Sequence, residues 1–231
     1  RVDRRQRQMC IRDRPNTIII ATGGMPNLEL FETKKDLENV YTSWDIISGD
    51  VKLSDNILIY DEAGDHTGMQ SAEIAIKEGS TVEFMTPDRL ISSEIMGMNL
   101  TPYLKNLQNK KITYSIAKRL LDVSIKGNKL NALIGSDYDE NFKYNSSYDQ
   151  VFLNYGIKPL DELYFSLVPY SKNKGEINYN KFINGEEQDI IKSDNNKFNL
   201  FRIGDAVSSR NIHAAIYLSL IHISEPTRRR G

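Results

Sequence analysis

Apolar residues along the chain fall into short runs and faces that are punctuated by glycine and polar turns. The first run, Ile18-Ile19-Ile20, is β-branched and stops at Thr22-Gly23-Gly24. It predicts a buried strand ending in a loop where the backbone turns tightly or comes close to another group. A polar stretch follows to Val40, and "YTSWDIISGD" predicts a short helix capped by Thr42 or Ser43 and stopped by Gly49. From Asn56 the pattern becomes strand, glycine turn, helix, strand: "NILIYD", then "GMQSAEIAIKEGS", then "TVEFMT". Met69, Ala72, Ala75 and Ile76 share one face of that helix, and the alternation forms a βαβ unit with a parallel sheet.

Further on, "NLTPYLKNLQNKK" predicts a helix with Pro102 tolerated in its first turn, and "ITYS" a third short strand. The alternating runs "RLLDVSIKGNKLNALIG" and "ENFKYNSSYDQVFLNYG", broken at Lys126-Gly127-Asn128 and at polar turns, predict an antiparallel meander. Ser171 to Lys197 is polar and poorly patterned. Phe198 to Ile203 predicts a strand ended by Gly204-Asp205, and Asn211 is placed to cap a helix running through Ala214 and Ala215. That helix is expected to break off after about two turns, leaving an unfinished apolar face.

Both ends of the chain carry an unusual relation. Met9-Cys10-Ile11-Arg12-Asp13-Arg14 can be encoded by DNA whose reverse complement, read in frame, encodes Leu218-Ser219-Leu220-Ile221-His222-Ile223. One short element resembling the mosaic end of a transposase-type sequencing adapter accounts for both, so residues 1–14 and 218–231 are expected to be adapter translations. Setting them aside changes the charge. The formal net charge of -1 becomes about -7 for residues 15–217, because the two ends carry +4 and +2. An acidic body argues against nucleic acid and anionic membrane as partners. The single cysteine, Cys10, leaves with the ends, and with it any disulfide, cysteine-ligated metal or thiol nucleophile in the remainder. No apolar run approaches the roughly 20 residues of a transmembrane helix. A cytoplasmic protein of one or two compact domains is expected.

Two stretches carry candidate chemistry. In "YDEAGDHTGMQSAE" a dinucleotide-binding turn would place glycine for the turn, for close approach to pyrophosphate and for helix packing. Aligned on Gly68, the frame reads Ala63-Gly64-Asp65-His66-Thr67-Gly68, with the third glycine present, alanine at the first position and Asp65 at the second. A carboxylate in the pyrophosphate seat adds bulk and like charge. The next strand ends at Thr86, where an NAD site offers Asp or Glu to the ribose. Intact NAD(P) binding is therefore disfavoured, leaving an adapted nucleotide pocket or a structural remnant. His66 reads either as a phosphate contact or as a solvated turn residue. In "FRIGDAVSSRNIHAAIY", Gly204 and Asp205 end a strand before a helix, where a carboxylate can accept hydrogen bonds from polyol hydroxyls. His213 opens that helix and reads as a flavin neighbour, a cap or a core residue. Asp161-Glu162 and Asp137, Asp139 and Glu140 read as solvated acidic loops without a metal-ligand set.

In order, "IIIATGGMPN", the Rossmann-like unit, "GIKP" and "LFRIGDA" with "IHAAIY" resemble the C-terminal nucleotide-binding region of a flavoprotein family. It is the 2,4-dienoyl-CoA reductase, trimethylamine dehydrogenase and N-methylproline demethylase-like family, and the resemblance covers essentially all of residues 15–217. It implies an α/β, Rossmann-like fold in which an NAD(P)-like domain, residues 54–160, is inserted into an FAD domain formed by residues 15–53 and 161–217. It also implies that Thr22, Gly23 and Gly24 lie near the flavin nucleotide, and that Asp205, after Gly204, contacts the ribityl chain of FAD or its place is taken by ADP. Gly64 and Gly68 would line the inserted domain's turn. The family's TIM barrel with FMN, its 4Fe-4S cysteines and the FAD domain's first glycine fingerprint have no counterpart here, and no catalytic residue maps onto the chain. The implied parent is an oxidoreductase, acting on a small amine or an enoyl compound and compatible with a homo-oligomer. The rival readings are a non-redox ADP-binding or structural module, and a pyridine-nucleotide disulfide reductase lacking its cysteine pair.

Overall fold

The structure is a computed structural model that describes residues 15–28, 37–210 and 212–219. The adapter reading of the two ends and the Asn211 cap fall outside the described residues, apart from the helical backbone of Leu218 and Ser219. In chain order the strands are β1 (Thr17–Ile20), β2 (Gly24–Pro26), β3 (Val40–Thr42), β4 (Asn56–Asp61), β5 (Thr81–Met85) and β6 (Ile112–Ser115). They continue with β7 (Arg119–Lys126), β8 (Lys129–Gly135), β9 (Tyr144–Tyr148), β10 (Gln150–Asn154), β11 (Ile157–Pro159) and β12 (Asn199–Arg202). The helices are α1 (Ser43–Ser48), α2 (His66–Lys77), α3 (Gly97–Leu107), α4 (Glu162–Leu167), α5 (Tyr179–Asn184) and α6 (Ile212–Ser219). The chain divides into two compact units, Arg1–Met25 with Ile157–Gly231 (unit 1) and Pro26–Gly156 (unit 2).

Unit 2 is a parallel sheet of order β3-β10-β4-β5-β6 with helices on one face and the antiparallel meander β7-β8-β9 on the other. Period-two alternation sorts the side chains. Ile57, Ile59, Val82, Phe84 and Phe152 face Met69, Ala72 and Ala75 of α2 and Leu107 of α3. Leu58, Tyr60, Met85, Val151 and Leu153 face Leu120, Val123, Leu130, Ala132 and Ile134 of the meander. Both faces of β4 are thus covered, which is why it reads as a continuous apolar run. Each large side chain buried this way contributes about 1.5–3 kcal/mol. The α1 helix forms where the sequence predicts it, with Thr42 as N-cap, its N–H donating to Asp45 Oδ2 at 2.7 Å, and Gly49 ending it at φ 77°.

Three expectations differ from the structure. The run "QVFLN" is not part of the meander: β10 inserts between β3 and β4 as a fully buried parallel strand. β3 and α1, assigned by sequence to the flanking domain, lie in unit 2, because β3 pairs with β10. Pro102 sits well inside α3 and not in its first turn, since the helix starts at Gly97, so no N–H at 102 is available to the Met98 carbonyl.

Unit 1 is built on a parallel pair, β1 and β12, in the register Thr17↔Asn199 to Ile20↔Arg202. Its small core is Ile20, Tyr164, Leu200 and Ala206, flanked by Ile18, Leu167, Val168 and Phe198. The outer edge of β12 is bonded by a side chain: Asn173 Nδ2 donates to the Leu200 carbonyl at 2.8 Å, and Leu200 N–H donates to Asn173 Oδ1 at 2.9 Å. Arg202 ties α4 to β12, with Nη1 2.7 Å from Asp161 and the guanidinium over the Tyr164 ring. Asp161 is therefore an ion-pair partner and not a solvated loop residue. Within the stretch without a predicted element, α5 forms between an Asn178 cap and Gly185 at φ 68°.

Candidate functional site

Parallel pairing brings two predicted segments off the same end of adjacent strands. Beyond Ile20 and Arg202, where the Ile203 N–H donates to the Ile20 carbonyl at 2.9 Å, the chain runs into Thr22-Gly23 on one strand and Gly204-Asp205 on the other. Gly23 (φ 76°) has open space where a side chain would stand, and Gly204 (φ 59°) begins a 3-10 turn beside Ala215 of α6. Among the described residues the half-buried Asp205 carboxylate accepts no hydrogen bond, so both its oxygens are available. His213 is exposed in the first turn of α6. Thr22 and Gly24 are used internally: the Thr22 hydroxyl donates to the Leu160 carbonyl, and a Cβ on Gly24 would stand 2.8 Å from the Lys158 carbonyl oxygen. Gly23, Gly204 and Asp205 are thus left open at the strand ends, while Thr22 and Gly24 hold the loop after β1.

In unit 2 the second candidate turn lies between β4 and α2. The strand order diverges beside β4, and here the carboxyl ends of β4 and β10 present Asp61 and Asn154 in register. Asn154 Nδ2 donates to Asp61 Oδ1 at 2.8 Å and to Asp65 Oδ1 at 3.0 Å. The amides of the turn are also engaged: Glu62 and Ala63 N–H donate to the Asn154 carbonyl at 2.9 and 3.1 Å, and Gly64 N–H donates to Asp61 Oδ1 at 3.0 Å. Asp65 caps α2, accepting from Thr67 N–H at 2.9 Å. Gly68 takes the helix-packing role the sequence predicts, since a Cβ there would stand 2.8 Å from the Asp61 carboxyl carbon. Gly64 (φ 67°) is approached closely by the chain itself: a Cβ would stand 2.7 Å from Ser93 Oγ, and Glu94 N–H donates to the Gly64 carbonyl at 3.0 Å.

Asp61 is wholly buried and its Oδ2 has no partner. Burial pushes its carboxyl up to about 7, with Asp65 and Asp88 adding to the rise and the bonds from Gly64 and Asn154 opposing it. His66 turns towards α3, its Nδ1 3.2 Å from the Tyr103 hydroxyl, and so is not merely solvated. Asp137, expected in a solvated loop, is held by Arg119, whose Nη1 also reaches Glu62 at 3.0 Å. Sequence reasoning missed Asp61 and Asn154. The signal was a single polar residue closing each of two apolar runs, "NILIYD" and "QVFLN". Among the described residues no group of three or more His, Cys, Asp or Glu is arranged to hold a metal ion.

The fold and the two strand-end turns define a Rossmann-like α/β segment. Of solved structures, it superposes on 6-hydroxypseudooxynicotine amine oxidase from Pseudomonas geniculata N1 with TM-score 0.68 at 18% identity, covering 93% of this chain and 29% of that one. On Lactococcus lactis thioredoxin reductase the TM-score is 0.62 at 16% identity, covering 90% and 64%. No protein-family model matches the chain. Over 206 residues it is 49% identical to a probable N-methylproline demethylase of Rhizobium meliloti (strain 1021), covering 89% of this chain and 30% of the relative. Over 216 residues it is 30% identical to an N,N-dimethylglycine/sarcosine dehydrogenase of Chromohalobacter salexigens, covering 90% and 31%. The chain is thus similar, over about nine tenths of its length, to one segment of these demethylase and dehydrogenase relatives, and it spans under a third of their length.

Proposed function

We propose that the chain is the nucleotide-binding segment of a flavin-dependent oxidoreductase, with unit 1 holding the FAD, or an ADP moiety in its place, at Gly23, Gly204 and Asp205. The observation that carries this reading is the unengaged Asp205 carboxylate at the end of β12, beside the open Gly23 at the end of β1. Asp205 accepts hydrogen bonds from hydroxyls of the nucleotide, and the positive φ of Gly204 lets the chain turn without a side chain between carboxylate and ligand. Thr22 and Gly24 fix the loop after β1, and His213 stands exposed in the first turn of α6, which packs on the Gly204–Ala206 turn. When bound, FAD supplies electron-transfer chemistry; the chain's own residues bind and orient it.

The complete protein, on this reading, carries a TIM barrel with FMN and a 4Fe-4S cluster in parts beyond this segment, and acts in the cytoplasm on a small molecule. An N-methylated amine is favoured over an enoyl substrate, since two relatives are named for demethylase or amine dehydrogenase activity. The segment alone is catalytically silent. Nucleotide released on denaturing the complete protein tests the reading. FAD in addition to FMN is expected; ADP alone would select the non-redox module, and no adenine nucleotide would refute both. Asp205→Ala is expected to weaken FAD or ADP binding roughly tenfold to a hundredfold, as loss of hydrogen bonds to a charged acceptor does.

A further inference from the structure

We propose that the β4–α2 turn of unit 2 is a self-filled phosphate seat: the Asp65 carboxylate takes the place of a dinucleotide pyrophosphate, and Asn154 staples it to Asp61. The inference concerns unit 2 and stands apart from the nucleotide assigned to unit 1. A phosphate-binding turn needs free main-chain N–H groups, a positive helix end and an open approach. Each is engaged here. The N–H groups of Glu62, Ala63 and Gly64 are bonded to the Asn154 carbonyl and the Asp61 carboxylate. The N-terminus of α2 is capped by Asp65 through Thr67 N–H. The side of Gly64 that a ligand backbone would approach is closed by Ser93 and Glu94 of the segment after β5.

Charge acts in the same direction. An anion entering the turn meets Asp65 and the Asp61 carboxyl, with Asp88 adding negative charge behind them. Asn154 has two amide hydrogens and spends one on each aspartate, so it offers a phosphate nothing further. The next strand ends at Met85, followed by the buried Thr86, and the first carboxylate beyond it, Asp88, already accepts from Ser93 Oγ at 2.8 Å. Unit 2 therefore keeps the architecture of a dinucleotide domain while satisfying from within the contacts a dinucleotide would make. Hydride from NADH or NADPH does not enter the protein through this turn.

The test is residue-resolved amide NMR of the chain titrated with NADPH and, separately, NADH. The expected result is no saturable shift at Glu62 to Thr67 with either nucleotide. A saturable shift there in the unaltered chain overturns the proposal. ADP or FAD shifts at Gly204 to Ala206 report separately on unit 1, so failure of one assignment is distinguishable from failure of the other. Ala63→Gly/Asp65→Gly empties the seat and is expected to gain saturable NADPH binding; a folded double variant that stays blind removes Asp65 as the occupant. Asp65→Asn keeps the cap and drops the charge, and is expected to stay blind. Binding by that variant would mean that charge, not occupancy, is the barrier, and would overturn the filled-seat assignment.

Discussion

Asp61 is held in its folded state far above the range of an ordinary carboxylate, because burial pushes its pKa from the usual 3.8 up to about 7. The folded protein therefore holds a proton that the unfolded chain releases. The stabilisation is fully present below about 3.8 and is lost as pH rises through about 7. The unfolding free energy from urea titrations should fall between pH 4 and pH 7 by an amount on the order of a few kcal/mol, and Asp61→Asn should flatten that slope. An unchanged slope in the variant would assign the pH dependence to other groups. Gly68→Ala tests the same contact sterically. Its Cβ would stand 2.8 to 3.1 Å from the Asp61 carboxyl group, and a loss of about 1–3 kcal/mol in chemical denaturation is expected. Gly68 was legible in the sequence because a helix packed on a strand needs a small residue at that turn. The Asp61–Asn154–Asp65 network was not, because its members are brought together by pairing of strands far apart in sequence.

The β12 strand shows how a short element is secured by one side chain. Asn173 is buried and satisfies both the N–H and the carbonyl of Leu200, so Asn173→Ala leaves two buried polar groups unpaired. A cost of about 2–4 kcal/mol and faster hydrogen exchange at the Leu200 amide are expected; unchanged exchange would show that the edge is protected by other means. Elements with local signals were read correctly: β4 and β5 from their apolar runs, α2 from its 3.6-residue face, α1 from Thr42 and Gly49. The misread ones depend on distant partners. β10 follows β9 with only Asp149 between, which favours a hairpin on sequence grounds, yet all five of its residues are buried in the parallel sheet. That full burial makes Phe152 a sensitive position, and Phe152→Ala should cost about 3–5 kcal/mol, measured by thermal or urea unfolding.

At the scale of the whole molecule, unit 2 is one continuous stretch of chain, whereas unit 1 is assembled from two stretches that flank it. The composition and motif order made the α/β class and the two nucleotide-type turns legible, but the place where one unit gives way to the other was not. That place follows from β3 pairing with β10, a long-range contact invisible to periodicity. The division has a consequence for the order of assembly. The two ends of unit 2 are tied by the Asn27 N–H to Gly156 carbonyl bond at 2.9 Å. Once unit 2 has folded, the loop that must close for β1 to meet β12 shrinks from the whole intervening chain to little more than its flanks. Loop-closure entropy puts that saving at about 1 kcal/mol. Unit 2 is thus expected to form during synthesis before β12 has left the ribosome, and an excised chain of residues 26–156 should show cooperative unfolding by itself. β1 then waits, three isoleucines in a row, for a partner made more than a hundred residues later, and the early folding of unit 2 is what keeps that wait short.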